Sequence, residues 1–375
     1  MASENLKLRA ASKSKNDEFY TQFHDIEKEM NAYLDYDPNT FRGKTVLLPC
    51  DDPEWSNFTK YFAQNFQQLG LKKLISTSYA PNSKPAFIGY QPTLFEMDGD
   101  GFDSDKTMAN GKIFTLEGDL NGDKVVDVED LDWSYLEGDG DFRSDEITAL
   151  RDEADVIVTN PPFSLFRAFI EWLYEGKKEF SVLGNMNAIS YMEVFPKIMR
   201  NELWLGASIH SGDREFEVPA ALETTSKSLR VDEEGRKYIR VDGIRWFTNL
   251  DHGKRHEPIP LMTEAENIKF SKHKEVKGIG YNKYDNFDAI EVPFTDSIPS
   301  DFGGLMGVPI SFLSKYSPEQ FEIIGSFNNG VQGERLGAKK IKADISGKLS
   351  NWNGPVVNGK PTYFRVIIRH KEPSK

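Results

Sequence analysis

Asn160, Pro161, Pro162 and Phe163 form the most chemically suggestive stretch of the chain. They follow directly on Asp155-Val-Ile-Val-Thr159, an apolar run of β type. In a parallel α/β sheet, ligands sit beyond the carboxyl ends of the strands, and this tetrapeptide falls at such an end. The two prolines remove two backbone donors and stiffen the turn. Their carbonyls and the Asn160 side-chain oxygen are left as acceptors beside the flat apolar face of Phe163. That combination suits a planar base bearing an exocyclic amine. The amine donates to Asn160 and to the Pro161 carbonyl while the ring stacks on Phe163. Such bonds favour a more tetrahedral, more nucleophilic nitrogen, able to attack an activated methyl group without an acid or a metal. The work is positioning and electrostatic preorganisation. Away from a strand end the same four residues would be only a stiff turn.

Other constellations are weaker. Gly43-Lys44-Thr45 invites a phosphate-loop reading, but Pro38 stands where the earlier glycine is required and a strand follows, which excludes a Walker-type NTPase. The six histidines show no His-Glu-x-x-His spacing, so no zinc site is read. Asp119, Asn121, Asp123, Asp127 and Asp130 fall at positions 1, 3, 5, 9 and 12 of a calcium loop and resemble the loops of dockerin modules. Lys124 replaces the turn glycine at position 6, and position 12 is not Glu. Those five residues are an alternative calcium set; the plainer reading is a solvated acidic insertion.

The elements that must position the tetrapeptide are legible in outline. Residues 16–37 are helix-prone, with Ile26, Met30, Tyr33 and Leu34 roughly on one face. Strands are predicted at 45–48, 74–79, 155–159, 181–186, 203–207 and 244–250. Helices are predicted at 57–69, stopped by Gly70, at 162–174 and at 191–199. Alternation of this kind predicts a mostly parallel sheet covered on both faces. Beyond about residue 255 the pattern becomes irregular and the strands short, and a domain boundary is placed there.

The chain has 375 residues, 38% apolar and 28% charged, which excludes disordered, collagen-like and disulfide-scaffold classes. No run approaches a membrane span, and residues 1–15 lack the apolar core of a secretory signal. Cys50 is the sole cysteine, which points to a reducing cytoplasm. The net charge of −13 is misleading as an average: residues 91–155 hold 20 acids and 5 bases, while residues 331–375 hold 10 bases and 3 acids. An acidic insertion near 91–137 masks a neutral to basic body that permits a nucleic-acid partner. Arg214, Arg245, Lys254, Arg255, Lys339, Lys340, Lys342, Arg365 and Arg369 are the candidate phosphate or base contacts. Arg365 and Arg369 share one face of a strand by their even spacing.

The tetrapeptide resembles the catalytic motif of S-adenosylmethionine-dependent amino-methyltransferases, above all those acting on adenine N6. Further blocks resemble the EcoRI-type adenine-specific DNA methyltransferases: Asn16-Asp-Glu-Phe-Tyr-Thr-Gln22, Cys50-Asp-Asp-Pro-Glu-Trp-Ser-Asn-Phe58, Gly138-Asp-Gly-Asp-Phe-Arg-Ser144, Trp246-Phe-Thr-Asn-Leu250 and Gly304-Leu-Met-Gly-Val-Pro-Ile-Ser-Phe312. They span residues 16 to about 325 and are far more specific together than the tetrapeptide alone.

The resemblance implies a Rossmann-like class I methyltransferase fold over about 1–255, interrupted by the acidic insertion. A smaller C-terminal target-recognition region, 256–375, would follow. It implies transfer of a methyl group from S-adenosylmethionine to an adenine flipped out of double-stranded DNA. A monomer is implied, in a bacterial or phage-infected cell, in a restriction-modification or phage/host modification role; a cognate restriction endonuclease would be the possible partner. Phe19, Tyr20 and Thr21 match the segment that contacts the methionine part. Pro49, Cys50, Asp51 and Asp52 occupy the cofactor loop, without its usual glycines; Asp51 or Asp52 would take the methionine ammonium, or else cap a helix beginning near Glu54. Asp141 and Phe142 match the pair that holds the cofactor's adenine, and Asn160 also faces the cofactor. Ser76-Thr-Ser-Tyr79 stands where an acid usually binds the ribose, and no ribose ligand is carried over. The tetrapeptide alone equally fits adenine in RNA, cytosine N4 or a glutamine side chain, and a non-catalytic binding protein could keep the same fold.

Overall fold

The computed structural model describes residues 21–51, 56–80, 102–120, 122–124, 126, 130–210, 214–218 and 229–372. Phe19, Tyr20, Asp52, Asn121 and Asp127 lie outside them. The chain divides into two compact units, one of residues 1–194 with 206–252, the other of residues 195–205 with 253–375.

The first unit is built on a twisted sheet. Its elements are α1 (Phe23–Tyr36), β1 (Thr45–Leu48), α2 (Asn57–Gln64), α3 (Phe66–Leu69), β2 (Lys73–Thr77), α4 (Lys106–Ala109), β3 (Lys112–Leu116), β4 (Asp132–Tyr135), α5 (Asp145–Glu153), β5 (Val156–Thr159), α6 (Phe166–Glu175) and β6 (Glu179–Asn185). Then α7 (Phe195–Met199) and β7 (Trp204–Leu205) belong to the second unit, and β8 (Arg214–Val218), β9 (Leu229–Val231), β10 (Lys237–Val241) and β11 (Ile244–Thr248) to the first. Within the first unit the sheet order is β4-β3-β2-β1-β5-β6-β11. The pairs β2–β1, β1–β5 and β5–β6 are parallel. Residues Thr45–Leu48 and Val156–Thr159 are buried throughout, the unbroken burial of a strand covered on both faces.

The acidic region, for which no strand was predicted before 155, contributes two strands to the sheet. β3 and β4 form an antiparallel hairpin that extends the sheet beyond β2. The acidic composition hid it, because charge reports the solvent side of an edge and not its pairing. β8, β10 and β9 form a separate antiparallel sheet, also unpredicted. The predicted helix 57–69 breaks at Asn65, and Gly70 stops it as expected, in the left-handed region at φ +65°. The predicted helix 191–199 is reduced to Phe195–Met199.

The Trp246–Leu250 block and the buried Glu29 both hold the sheet together. In Trp246–Leu250, the Asn249 side chain accepts from Phe180 N–H at 2.7 Å and donates to the Lys178 carbonyl at 3.0 Å. This ties the end of β11 to the start of β6. Glu29 on α1 is fully buried; it accepts from Tyr33 Oη at 2.7 Å and from the Ala207 and Ser208 N–H groups at 2.8 and 2.7 Å. Burial raises its carboxyl pKa, and those hydrogen bonds oppose the rise.

The second unit is more ordered than its sequence suggested. Besides α8 (Glu264–Phe270) and α9 (Val331–Leu336) it holds a sheet of β12 (Ile290–Glu291), β13 (Met306–Pro309), β14 (Phe321–Phe327) and, last in the chain, Arg365–His370, in the order β12-β13-(365–370)-β14. Arg365 and Arg369 do share a face, but Arg365 is buried and paired with Glu291, which also accepts from Tyr284 Oη. Gly307 leaves room for that tyrosine: a Cβ there would stand 2.0 Å from its hydroxyl. Arg255 is likewise buried, its guanidinium 3.7 Å above the Trp204 ring, and Arg245 is only 5% exposed. These three arginines are therefore corrected from DNA contacts to internal ones, since a buried guanidinium cannot reach a phosphate. Arg369 is exposed and pairs with Glu322.

Candidate active site

The chain leaves β1 toward β2 on one side and returns to β5 on the other, so the crevice between the ends of β1 and β5 is the point where strand order reverses. The Pro49–Asp51 turn follows β1, and Asn160 follows β5.

Asp51 joins them. It is 6% exposed, accepts the Thr159 hydroxyl at 2.6 Å and accepts the Ser56 hydroxyl at 2.8 Å. Its N–H donates to the Thr77 carbonyl at 3.0 Å, and its carbonyl accepts the Ser76 hydroxyl. One residue thus ties the ends of three strands to the start of α2. The helix begins at Asn57, and Ser56 is its N-cap, accepting from Phe58 N–H at 3.1 Å. Asp52 and Glu54, on which the alternative cap reading rested, lie outside the described residues. Ser76 is wholly buried and also meets the Thr59 hydroxyl, so it is structural.

Removing the strand-end bond should be measurable. Thr159→Val keeps the shape but leaves the buried Asp51 carboxylate short of a donor, at a cost of about 1.5–3 kcal/mol. Denaturant unfolding checks this; an unchanged midpoint would mean that the bond contributes nothing.

Cys50 lies half-buried between these groups. Burial pushes its thiol pKa up, and the Asp51 and Asp141 carboxylates push it further. A raised thiol pKa disfavours the thiolate, the nucleophilic form.

Backbone hydrogen bonds hold the Gly138–Ser144 block against the chain leaving β2. Ala80 N–H donates to the Asp139 carbonyl at 2.7 Å, and Glu146 accepts from Glu137 and Gly138 N–H at 2.9 and 3.0 Å. Gly140 has φ +83°, and a Cβ on it would stand 2.2 Å from the Ser78 carbonyl oxygen. Asp141 accepts a guanidinium fork from Arg143, at 2.9 Å from Nε, which holds its carboxyl below the usual carboxylate range. Phe142 is 4% exposed and lies edge-on to Phe169 and Trp172, with centroids 4.9 and 5.6 Å away. It anchors the loop to α6 and leaves little ring surface for a ligand.

Asn160 is half-buried, Pro161 buried, and Pro162 and Phe163 half-buried. The Pro162 carbonyl accepts from Leu165 N–H at 2.9 Å. Of the two proline carbonyls read as acceptors, that of Pro162 thus takes a bond within the turn. Phe163 packs against the core of the first unit. Thr21 is 4% exposed, and its carbonyl accepts from Asn57 Nδ2 at 2.8 Å, which places it beside the start of α2. Its hydroxyl has no hydrogen-bond partner among the described residues.

Sequence reading missed Thr159, Ser56, Glu146 and Arg143 as positioning groups. A threonine closing an otherwise apolar strand was the available signal for the first. Of the calcium set, Asp119 accepts from the Gly122 and Lys124 N–H groups, and Asp130 from Leu120 N–H at 2.8 Å. Among the described residues no three metal-ligating side chains converge. Nor is any helix among them long and apolar enough to cross a membrane. A cleft of about 370 Å³ opens in the second unit beside Lys283, Phe287 and Phe302; of the candidate residues only Arg369, one of the proposed DNA contacts, lines it.

An α/β sheet whose order reverses at β1, with Asn-Pro-Pro-Phe at the end of β5 and an acid-bearing loop gathered against β1 and β2, defines a class I methyltransferase acting on an amine. The model of the family described as adenine-specific methyltransferase EcoRI matches residues 7–371, and the chain belongs to that family. It is similar to the Type II methyltransferase M.EcoRI of Escherichia coli, 40% identical over 368 residues, which cover 98% of this chain and 97% of that one. It is also similar to the Type II methyltransferases M.MgeORF184P of Mycoplasma genitalium, 36% identical over 96% of this chain and 98% of that one, and M.MpnI of Mycoplasma pneumoniae, 34% identical over 96% and 97%. No solved structure matches. The methyl donor is S-adenosylmethionine. The residues present fit it: the Thr21 hydroxyl has no partner among the described residues, and the Asp141 carboxyl, held low by Arg143, lies near enough to Cys50 of the β1 turn to raise its thiol pKa.

Proposed function

We propose that the enzyme methylates N6 of adenine within a specific site of double-stranded DNA, as the modification half of a Type II restriction-modification system in a bacterial cytoplasm. The observation that carries this is the Asn160–Phe163 turn at the end of β5, locked to the β1 turn through Thr159 and Asp51.

The target amine cannot reach a strand-end crevice from within a stacked duplex, so the adenine is flipped out. Asn160 Oδ1 and the Pro161 carbonyl accept its two amine hydrogens, and Phe163 stacks on its ring. Bound S-adenosylmethionine supplies an activated methyl group for direct displacement. Thr21, with Phe19 and Tyr20, holds the methionine part, the Pro49–Cys50 backbone faces the donor, and Asp141 accepts from its adenine while Phe142 anchors the loop. The Asp51 carboxylate acts as the brace of this site and not as its ammonium ligand. As the new N–C bond forms, N6 loses a proton to solvent, so no buried general base is required. Residues 253–375 serve target recognition.

The test is incubation with unmodified plasmid and S-adenosylmethionine, digestion to nucleosides and mass spectrometry. N6-methyladenine above a no-enzyme blank is the expected result. Its absence, with cofactor binding intact, would move the substrate to RNA or protein; absence of both would favour a non-catalytic binding protein.

A further inference from the structure

The second unit carries an antiparallel ribbon that belongs to no larger sheet, β15 (Ile341–Ile345) and β16 (Lys348–Trp352). Ser346 and Gly347 join the strands with φ +53° and +84°, the two left-handed residues of a tight hairpin turn. Its base is clamped. Asn286 donates to the Lys339 and Gly354 carbonyls at 3.1 and 2.9 Å, and Asn353 exchanges hydrogen bonds with the Gly330 backbone at 2.7 and 2.9 Å.

The two faces differ. Ala343 is fully buried on one. Lys342 lies opposite Asn351, and Asp344 opposite Leu349, so these four side chains share the other face, and all four are exposed. Leu349 is 72% exposed, which serves no folding purpose. Residues 339–360 hold five lysines and one acid, Asp344. Among the described residues none of these lysines has an ion pair, whereas Arg365 and Arg369 of the same unit are both matched by glutamates.

A segment with five lysines and one acid, whose lysines make no ion pair among the described residues, fits a polyanion. A two-stranded ribbon five residues long, about 17 Å, is an element that the major groove of B-DNA admits. The side chains on the exposed face are those that read base edges there: lysine on guanine, asparagine on adenine, carboxylate on cytosine N4, an apolar group on the thymine methyl. Gly347 N–H fixes Asp344 through one oxygen, at 2.7 Å. We infer that the Lys342–Asp344–Leu349–Asn351 face enters the major groove of duplex DNA and reads the bases of the recognition site. The inference rests on the DNA reading above and assigns that recognition to one face.

The experiment uses the full enzyme and its Lys342→Ala, Leu349→Ala and Asn351→Ala variants. Methylated sites are mapped across a plasmid, and kcat/KM is compared on duplexes carrying each single-base change. The expected result is unchanged melting and cofactor binding, a drop in cognate kcat/KM of about ten- to hundredfold for Asn351→Ala or Lys342→Ala, and relaxed preference at one position for each variant. Unchanged site preference and rate would overturn the inference. So would a loss that is uniform over all sequences, because it would reduce the ribbon to a phosphate contact. Wild-type enzyme that methylates no DNA would overturn the DNA reading and this inference together, whereas normal wild-type methylation with indifferent variants overturns only the ribbon.

Discussion

Asn160→Ala lowers kcat by on the order of 10²–10³-fold, while S-adenosylmethionine binding stays near that of the intact enzyme. The size follows from what the side chain does. An amide acceptor fixed at the end of β5 orients the amine lone pair and strengthens its hydrogen bond as the nitrogen becomes tetrahedral, so its contribution is made in the transition state. Alanine removes that acceptor and leaves Thr159, Asp51 and the strand ends in place. Single-turnover methylation beside calorimetric cofactor binding separates the two effects. A variant with full turnover would refute the mechanism, and one that loses cofactor affinity in proportion to rate would make Asn160 a binding residue.

Gly140→Ala has the second large expected effect, on stability and cofactor affinity together. Position 140 combines φ +83° with a backbone oxygen 2.2 Å from where a Cβ would stand. A flexible neighbour could move aside; the Ser78 carbonyl cannot, because it belongs to the chain leaving β2, where Ser78 N–H is bonded to Lys112. The clash and the left-handed backbone together cost on the order of 2–4 kcal/mol. Relief can come only by shifting the 138–142 loop, which withdraws Asp141 from the β1 turn. Thermal melting should drop and S-adenosylmethionine affinity fall with it. The same change at Gly118, where nothing stands within 4 Å, is the control and should be nearly silent. Wild-type melting and affinity for Gly140→Ala would show that the loop is dispensable.

The sequence resolved features that depend on neighbours along the chain. An unbroken apolar run marked β5, and prolines after it marked a turn. Gly70 marked a helix end, and the Asn160–Phe163 types marked amine chemistry. Through the resemblance of whole blocks it also singled out Asp141 and Thr21. It misjudged places where meaning depends on partners far away. The acidic stretch concealed a β3–β4 hairpin because pairing with β2 is a long-range event. Arg245, Arg255 and Arg365 read as surface cations because sequence carries charge but not burial.

Residue types and local spacing by themselves determined the α/β class and the position of the Asn160–Phe163 turn at a strand end, since propensity and turn geometry are local properties. Only the tertiary structure decided that Asp51 braces Thr159 and Ser56, that Gly140 must lack a side chain, that Phe142 is buried and that Lys342, Asp344, Leu349 and Asn351 share one exposed ribbon face. Each of these depends on which distant groups the folded chain brings within a few ångströms, and hydrogen bonds, steric contact and neutralisation of charge act only over such distances.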